Sequence, residues 1–438
     1  MHNHKNGSFT NSLGFVLACV GSAVGLGNIW MFPYLGEYGG AAFLIPYIFF
    51  ICLFGFVGLS AEFAIGRKAG TGTLGSYELC WKEKKKEKVG KVLGWIPLLG
   101  SLGIAIGYSV IIGWVLRFLC GSITNTVLEQ DSAEYFADVT AFMGNVPWHV
   151  LVIAITVIVL LIGAATQIEK ANKILMPLFF VLFSILAVRV FFLPGAKEGY
   201  EFLFVPKWEA LANIDTWVMA MGQAFFSLSI TGSGMIVYGS YLSKKEDIPR
   251  ASMQTAFFDT IAAMLSALAI MPAVFAFGIE PSAGPSLMFV TIPNIFKQMP
   301  MGRLFAVIFF LSVCFAGITS LINMFEAVIE SWQHKFKLKR NHAVLLCGAL
   351  TLIVGLFMEE EARVGTWMDF ITIIVVPFGA VLGAISIYYI LGFDKIKEEL
   401  EEGRKKGLSK IFKPTAKYVY VPLTIIGFIL GLVYKGIG

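Results

Sequence analysis

Apolar residues run through this chain in long stretches, separated by short polar ones. A bilayer core of about 30 Å takes about 20 apolar residues per helical crossing. By that rule eleven spans are predicted, centred near residues 24, 53, 106, 157, 183, 228, 265, 317, 349, 378 and 427. The first follows a short polar tail, is too long for the apolar region of a signal peptide, and has no small-residue cleavage pattern behind it. Residues 279–300, IEPSAGPSLMFVTIPNIFKQMP, are too broken by prolines to cross. They are apolar enough to dip back toward an outer cavity, so they are read as a re-entrant or capping loop.

Two of the predicted spans are interrupted. The first carries GSAVGLGN at residues 21–28, three glycines, a serine and an asparagine inside an otherwise greasy run. The sixth reads FFSLSITGSGMIVYGSY from residue 225, with Ser227, Ser229, Thr231, Gly232, Ser233 and Gly234 at mid-depth. Close packing through small residues is the alternative reading, and for the sixth span alone it stands level with a binding site. The two lie five spans apart, an odd number, so their halves run in opposite directions. Glycine-interrupted spans in corresponding positions of two inverted halves point to a transporter binding site.

Composition agrees with a membrane protein. Of 438 residues, 57% are hydrophobic and only 14% charged, with a mean hydropathy of +0.76; a soluble domain carries about 25% charged residues. The bases cluster in WKEKKKEKVGK (81–91), HKFKLKR (334–340) and KIKEELEEGRKKGLSK (395–410). With the N-terminus inside, about 26 Lys and Arg fall on the cytoplasmic side and about 6 outside. Eleven spans then put the C-terminus outside. The net charge of +5 is thus a topology signal; no basic patch is interleaved with exposed aromatics as nucleic-acid binding requires. The six cysteines have neither metal-ligand spacing nor a loop-to-loop pairing pattern and read as small apolar packing residues. An embedded enzyme needs a mid-membrane His, Cys or paired-acid centre. The five histidines (2, 4, 149, 334, 342) fall at loops or helix ends, with no nucleophile–base pair in view. A channel would show a repeated filter or ring-forming motif, and none is present.

GSAVGLGN with the following IWMFP, GGAAFLIPY at 39–47, EFAIGR at 62–67, QAFFSLS at 223–229 and CFAGITS at 314–320 resemble the neurotransmitter:sodium symporters. The likeness runs from about residue 8 to 436, and the form is that of the bacterial amino-acid branch with eleven helices. It implies an all-α polytopic fold with helices one and six broken. Its five-plus-five inverted repeat would cover about 10–195 and 213–392, with an extra helix at about 417–436. It also implies a carrier in a bacterial cell membrane that imports an amino acid with sodium by alternating access. The same fold run by protons or by exchange is the alternative.

A broken helix exposes carbonyls at one half's end, which attract cations, and N–H groups at the other's start, which attract anions. By resemblance, Leu26 and Gly27 N–H groups hold the substrate carboxylate with the Tyr108 phenol, beside Ser22. The carbonyls of Ala23, Phe226 and Ser227, with the Ser229 hydroxyl, receive the ammonium. One sodium takes Ala23, Asn28, Ser227 and Asp259; the other takes Gly21, Val24 and Ala316 carbonyls with the Thr319 and Ser320 hydroxyls. Positions 316, 319 and 320 share one helical face, and an ionisable group at membrane depth such as Asp259 is costly enough to be functional by default. Where many relatives carry Asn and need chloride, Asp259 supplies the negative charge itself, which implies chloride independence. The side-chain pocket would be lined by Ile104, Tyr108, Ile111, Phe226, Gly232, Ser320 and Met324. Glycine at 232 and an adaptable methionine imply room for a large, aromatic substrate, tyrosine first. Gly25 replaces the aspartate of amine-carrying relatives. Met31 stands where an outer-gate arginine pairs with an acid matching Asp369, while Asn6 and His334 stand at the inner-gate pair. Phe9, Tyr238 and Tyr241 would seal the inner side, and Tyr108 with Phe226 the outer. Glu62 and Glu326 are expected to be structural.

Overall fold

A computed structural model describes residues 8–281 and 284–434. Among the described residues every regular element is helical. We number the main ones α1 Ser12–Ala23, α2 Gly40–Ala69, α3 Glu87–Thr124, α4 Val146–Ile162 and α5 Ala165–Phe191. The second half holds α6 Ile214–Ser227 and α7 Gly234–Ser240. It continues with α8 Ile248–Ala276, α9 Gly302–Phe336, α10 Arg340–Leu356, α11 Glu361–Glu401 and α12 Phe412–Val433. Seven of these (α2, α3, α5, α8, α9, α11, α12) are long and apolar enough to cross a membrane unaided. Nine of the eleven predicted centres fall inside them or inside the shorter α4 and α10. The other two, 24 and 228, fall on breaks: Val24 is extended after α1, and Leu228 follows α6.

The core is a stack of helices brought close by glycine. A Cβ on Gly66 of α2 would stand 2.0 Å from the Ile236 carbonyl of α7, and one on Gly239 of α7 would stand 2.4 Å from the Phe63 carbonyl of α2. Small residues are what let backbones approach this closely where lipid supplies no hydrophobic drive between helices. α1 lies against α5, α8 and α9, and α9 packs along α3.

The three basic clusters meet on one face. Lys395 pairs with Glu83, Lys68 with Glu398 at 3.6 Å and His334 with Glu78 at 3.7 Å. The 279–300 segment forms helical turns over Leu287–Thr291 and Ile292–Gln298. Its Phe289 is buried and stacks on Phe136, ring centres 5.1 Å apart. It therefore covers the end of the bundle that holds residues 125–138. Four of the cysteines are buried in helix contacts, Cys120 is half-buried, Cys52 is exposed, and all six are free thiols.

Candidate functional site

The two breaks face each other, and each is held open by side chains that take over lost backbone bonds. After α1, the Gly25 N–H donates to Asn28 Oδ1 (3.1 Å) and the Leu26 N–H to the Tyr108 phenol (2.8 Å). After α6, Ser229 and Gly232 adopt left-handed backbone, φ +52° and +73°. The Gly232 N–H donates to Glu62 Oε1 at 2.7 Å, and Ser229 Oγ donates to the Ser22 carbonyl at 3.1 Å. Buried polar backbone without such partners would cost several kcal/mol per group. Glu62 thus holds a structural bond, as expected.

Between the breaks lies a cavity of about 380 Å³. Ser22, Ala23, Ile104, Tyr108, Phe226, Ser229, Ser320 and Met324 line it, each a residue that the family resemblance implied for the substrate site. Leu26, Gly27, Ile111 and Ser227 are buried behind that lining. Gly232 is displaced from its expected place. A Cβ there would meet the Gly379 carbonyl at 2.5 Å and the Tyr77 hydroxyl at 2.9 Å, so the residue faces α11 and leaves the pocket wall to Thr231 and Gly234. Room for a large side chain comes instead from a recess the sequence did not signal. It runs between α6 and α12, past Met219, Gly222, Gly427 and Gly431. Small residues lining a recess from two helices at unrelated positions leave no local pattern to read.

At one end of the breaks three side chains converge. Asn28 Nδ2 donates to Asp259 Oδ1 (2.9 Å) and Ser227 Oγ (3.1 Å), and Ser227 Oγ donates to Asp259 Oδ2 (2.6 Å). All are buried. Among the described residues no cation is bonded to this carboxylate, which leaves a dense oxygen set with one formal negative charge.

A second oxygen set surrounds Ser320. Its hydroxyl lies 3.2 Å from the Gly21 carbonyl, 3.3 Å from Ser22, 3.1 Å from Val24 and 3.1 Å from Ala316. One hydroxyl proton serves four acceptors. The Gly21 and Ser22 carbonyls have lost their usual helical donors, because the Gly25 and Leu26 N–H groups point to Asn28 and Tyr108. Thr319 Oγ1 sits one position away, bonded back to Phe315 and Ala316 at 3.0 Å. A cage of neutral oxygens short of donors is chemistry that suits a hard cation.

Aromatic rings close the end of the bundle that carries the basic clusters. Phe9, Tyr238 and Tyr241 are buried together, ring centres 5.8 and 6.3 Å from Phe9. Below them Glu326 takes both arms of Arg340 (2.9 and 2.8 Å) and the Tyr241 hydroxyl (2.5 Å). Asn6 lies outside the described residues, and His334 faces Glu78. The chain after Asn6 is instead tied to α5: the Thr10 N–H donates to Glu169 at 2.7 Å, and Lys173 pairs with the same carboxylate at 2.5 Å. Sequence reading missed Glu169, whose partner stands 159 positions away. Toward the opposite end Phe226 is 39% exposed, so it does not close over the cavity. Met31 and Asp369 both line the mouth. Methionine cannot form the ion pair that an arginine would make there.

His149 lies in the first turn of α4, at a helix end as read from sequence, but it joins a Ser–His–Glu chain that the sequence did not show. His149 is fully buried and meets both Ser109 and Glu359. Ser109 is equally buried, so its hydroxyl is out of a substrate's reach.

Comparison with known proteins agrees with this geometry. A model described as the Sodium:neurotransmitter symporter family matches residues 6–138 and 130–435. The chain is 32% identical over 453 residues to the uncharacterized sodium-dependent transporter YhdH of Bacillus subtilis strain 168, covering 99% of each. It is 33% identical over 420 residues to the uncharacterized sodium-dependent transporter MJ1319 of Methanocaldococcus jannaschii, covering 90% of this chain and 84% of the relative. Among solved structures, MhsT in complex with L-phenylalanine aligns with a TM-score of 0.84 at 32% identity, over 97% of this chain and 99% of that one.

Proposed function

Since the chain belongs to the sodium:neurotransmitter symporter family, we propose that it imports an amino acid with a large apolar or aromatic side chain, tyrosine first, together with sodium. The protein is a multi-pass membrane transporter and not an enzyme. The observation that carries the reading is the pairing, at one cavity, of a free-carbonyl cage around Ser320 with amide groups that start the next half-helix. A zwitterion accompanied by cations satisfies both ends of that arrangement. L-phenylalanine bound to MhsT supports an amino-acid substrate with a ring, and the recess toward α12 supports the size.

In this reading the substrate carboxylate lies between the Leu26 and Gly27 N–H groups and the Tyr108 phenol. Its ammonium faces the carbonyls of Ala23, Phe226 and Ser227 and the Ser229 hydroxyl. One sodium takes the oxygens of Ala23, Asn28, Ser227 and Asp259 and an oxygen of the substrate, which makes coupling a direct electrostatic matter. The second takes Gly21, Val24, Ala316, Thr319 and Ser320. The Asp259 charge removes the need for chloride. The inverted repeats, about 10–195 and 213–392, rock about this centre. The gathered basic clusters support a cytoplasmic N-terminus and an outer C-terminus in the inner membrane of a bacterium.

Uptake of labelled tyrosine into proteoliposomes decides between this reading and a proton-driven or exchanging carrier. With potassium replacing sodium outside, uptake falls about tenfold, to background; undiminished uptake overturns sodium coupling. Tyr108→Phe removes the phenol from the Leu26 N–H. It weakens amino-acid binding about tenfold to a hundredfold, the value of one hydrogen bond to a charged group, and leaves the sodium requirement in place. Equilibrium binding at several sodium concentrations checks both statements.

A further inference from the structure

One amide on α5 is buried with half of its bonding capacity unused. The residues this helix buries include Ile168, Glu169, Asn172, Met176, Phe179 and Phe183. They recur every three or four positions and so form the stripe that faces the bundle. Glu169 is accounted for by Thr10 and Lys173. Asn172 is fully buried, and its Nδ2 donates to the Ile168 carbonyl one turn back, at 2.9 Å. Its Oδ1 has no hydrogen-bond partner among the described residues.

The bond to Ile168 fixes which way the amide points. Exchanging its two ends would set Oδ1 against the Ile168 carbonyl oxygen, acceptor against acceptor. Nδ2 therefore faces its own helix, and Oδ1 faces α1. It comes so close that a Cβ on Gly21 would stand 1.8 Å from it. The same Cβ would stand 3.1 Å from Thr319 Cβ on α9. The amide oxygen thus lies in the narrow space shared by Gly21 and Thr319, and a glycine on α1 is what admits it there.

A buried acceptor without a donor is costly, and each one in a folded protein calls for a reason. The hydroxyls of the neighbouring cage have no proton to spare. Thr319 Oγ1 is bonded back to Phe315 and Ala316 at 3.0 Å. The single Ser320 proton already serves four carbonyls, that of Gly21 among them. Lys173, one position along α5, is held by Glu169 at 2.5 Å. Gly21, Thr319 and Asn172 therefore bring together oxygens that are short of donors and carry no formal charge. Neutral oxygens of this kind, amide oxygens of Asn included, are what hard cations take.

We propose that Asn172 Oδ1 is a further ligand of the second sodium, a neutral oxygen that α5 adds to those of α1 and α9. The proposal rests on the symport reading above, which gives that ion the oxygens of Gly21, Val24, Ala316, Thr319 and Ser320. Hard cations take about six oxygens or more, so one more completes the set. The ion then ties α5 to α1 and α9. Asn172 does not line the amino-acid cavity, so it acts on sodium affinity and not on the choice of amino acid.

The test is the melting temperature of purified protein titrated with sodium chloride, with potassium chloride holding the ionic strength and no amino acid present. In the symport reading the first sodium borrows an oxygen from the substrate, so sodium alone reports chiefly on the second. Wild type melts higher as sodium rises. Asn172→Ala removes the oxygen and clashes with nothing. It moves the midpoint of that rise about tenfold to higher sodium, the lower end for one bond to a charged group, because a water in the gap returns part of it. Asn172→Asp keeps an oxygen against Gly21, and its midpoint stays at or below that of wild type. Asn172→Ser is the second arm, informative even if the alanine variant fails to fold. Its hydroxyl bonds back to the Ile168 carbonyl, so it keeps the local bond, loses the cage oxygen and shifts the midpoint as alanine does. A residue that merely packs would lower melting in potassium and leave the sodium midpoint unmoved. An unmoved midpoint in Asn172→Ala or Asn172→Ser overturns the proposal, as does an Asn172→Asp midpoint raised as far as alanine's. A wild type whose melting and phenylalanine binding both ignore sodium overturns the symport reading, and this proposal with it.

Discussion

Asp259→Ala raises the sodium concentration needed for half-maximal amino-acid binding about a hundredfold to a thousandfold. The carboxylate accepts from Asn28 at 2.9 Å and from Ser227 at 2.6 Å, all three side chains buried. Alanine strands both donors and removes the negative charge from the proposed ion shell. A hydrogen bond to a charged group contributes about 1.5–3 kcal/mol, so two give about 3–4 kcal/mol when partial relaxation is allowed. Each 1.4 kcal/mol is a tenfold change in affinity. Asp259→Asn is milder, about tenfold, because the amide keeps one acceptor for the two donors. It lacks the charge, so added chloride restores part of its binding. Sodium titrations of phenylalanine binding, with chloride or gluconate as anion, measure both effects. Wild-type sodium affinity in Asp259→Asn without chloride would remove Asp259 from the ion shell.

Gly232→Ala destabilises the protein by about 3 kcal/mol. Left-handed backbone costs a residue with a Cβ about 1–2 kcal/mol, and Gly232 has φ +73°. The new methyl would also sit 2.5 Å from the Gly379 carbonyl, backbone that cannot swing aside; such overpacking adds about 1–3 kcal/mol. The shift would loosen the Glu62 bond that holds the break after α6. Purified variant protein should therefore melt well below wild type. Its preference among amino acids should be unchanged in whatever fraction folds. A normal melting temperature with altered selectivity would return Gly232 to the pocket wall.

The contrast between these two residues shows what could be read in advance. Asp259 is an acid in the run FFDTIAAMLSALAIMP, and the cost of charge in lipid makes it conspicuous without any neighbour in view. That Thr319 and Ser320 share a helical face with Ala316 is legible from spacing, whereas an ion-binding role for them came only from the family resemblance and the facing break. Gly232 looked equally conspicuous, but what a glycine makes room for depends on which backbone comes near. Here that backbone is Gly379, 147 positions later. Glu169, His149 and the recess beside Gly427 share this difficulty. Each takes its meaning from a partner on another helix, at a separation that no local pattern encodes.

Hydropathy, therefore, determined the helical membrane class, the positions of the spans and the two places where a helix fails. Those follow from solvation of each residue and from backbone bonding within one segment, which are properties of local sequence. The tertiary structure decided which freed groups meet: the Leu26 amide with the Tyr108 phenol, four carbonyls with the Ser320 hydroxyl, and Ser109 with His149 and Glu359. Those depend on the distance and rotation between helices. Side chains and small residues from the whole chain set both together.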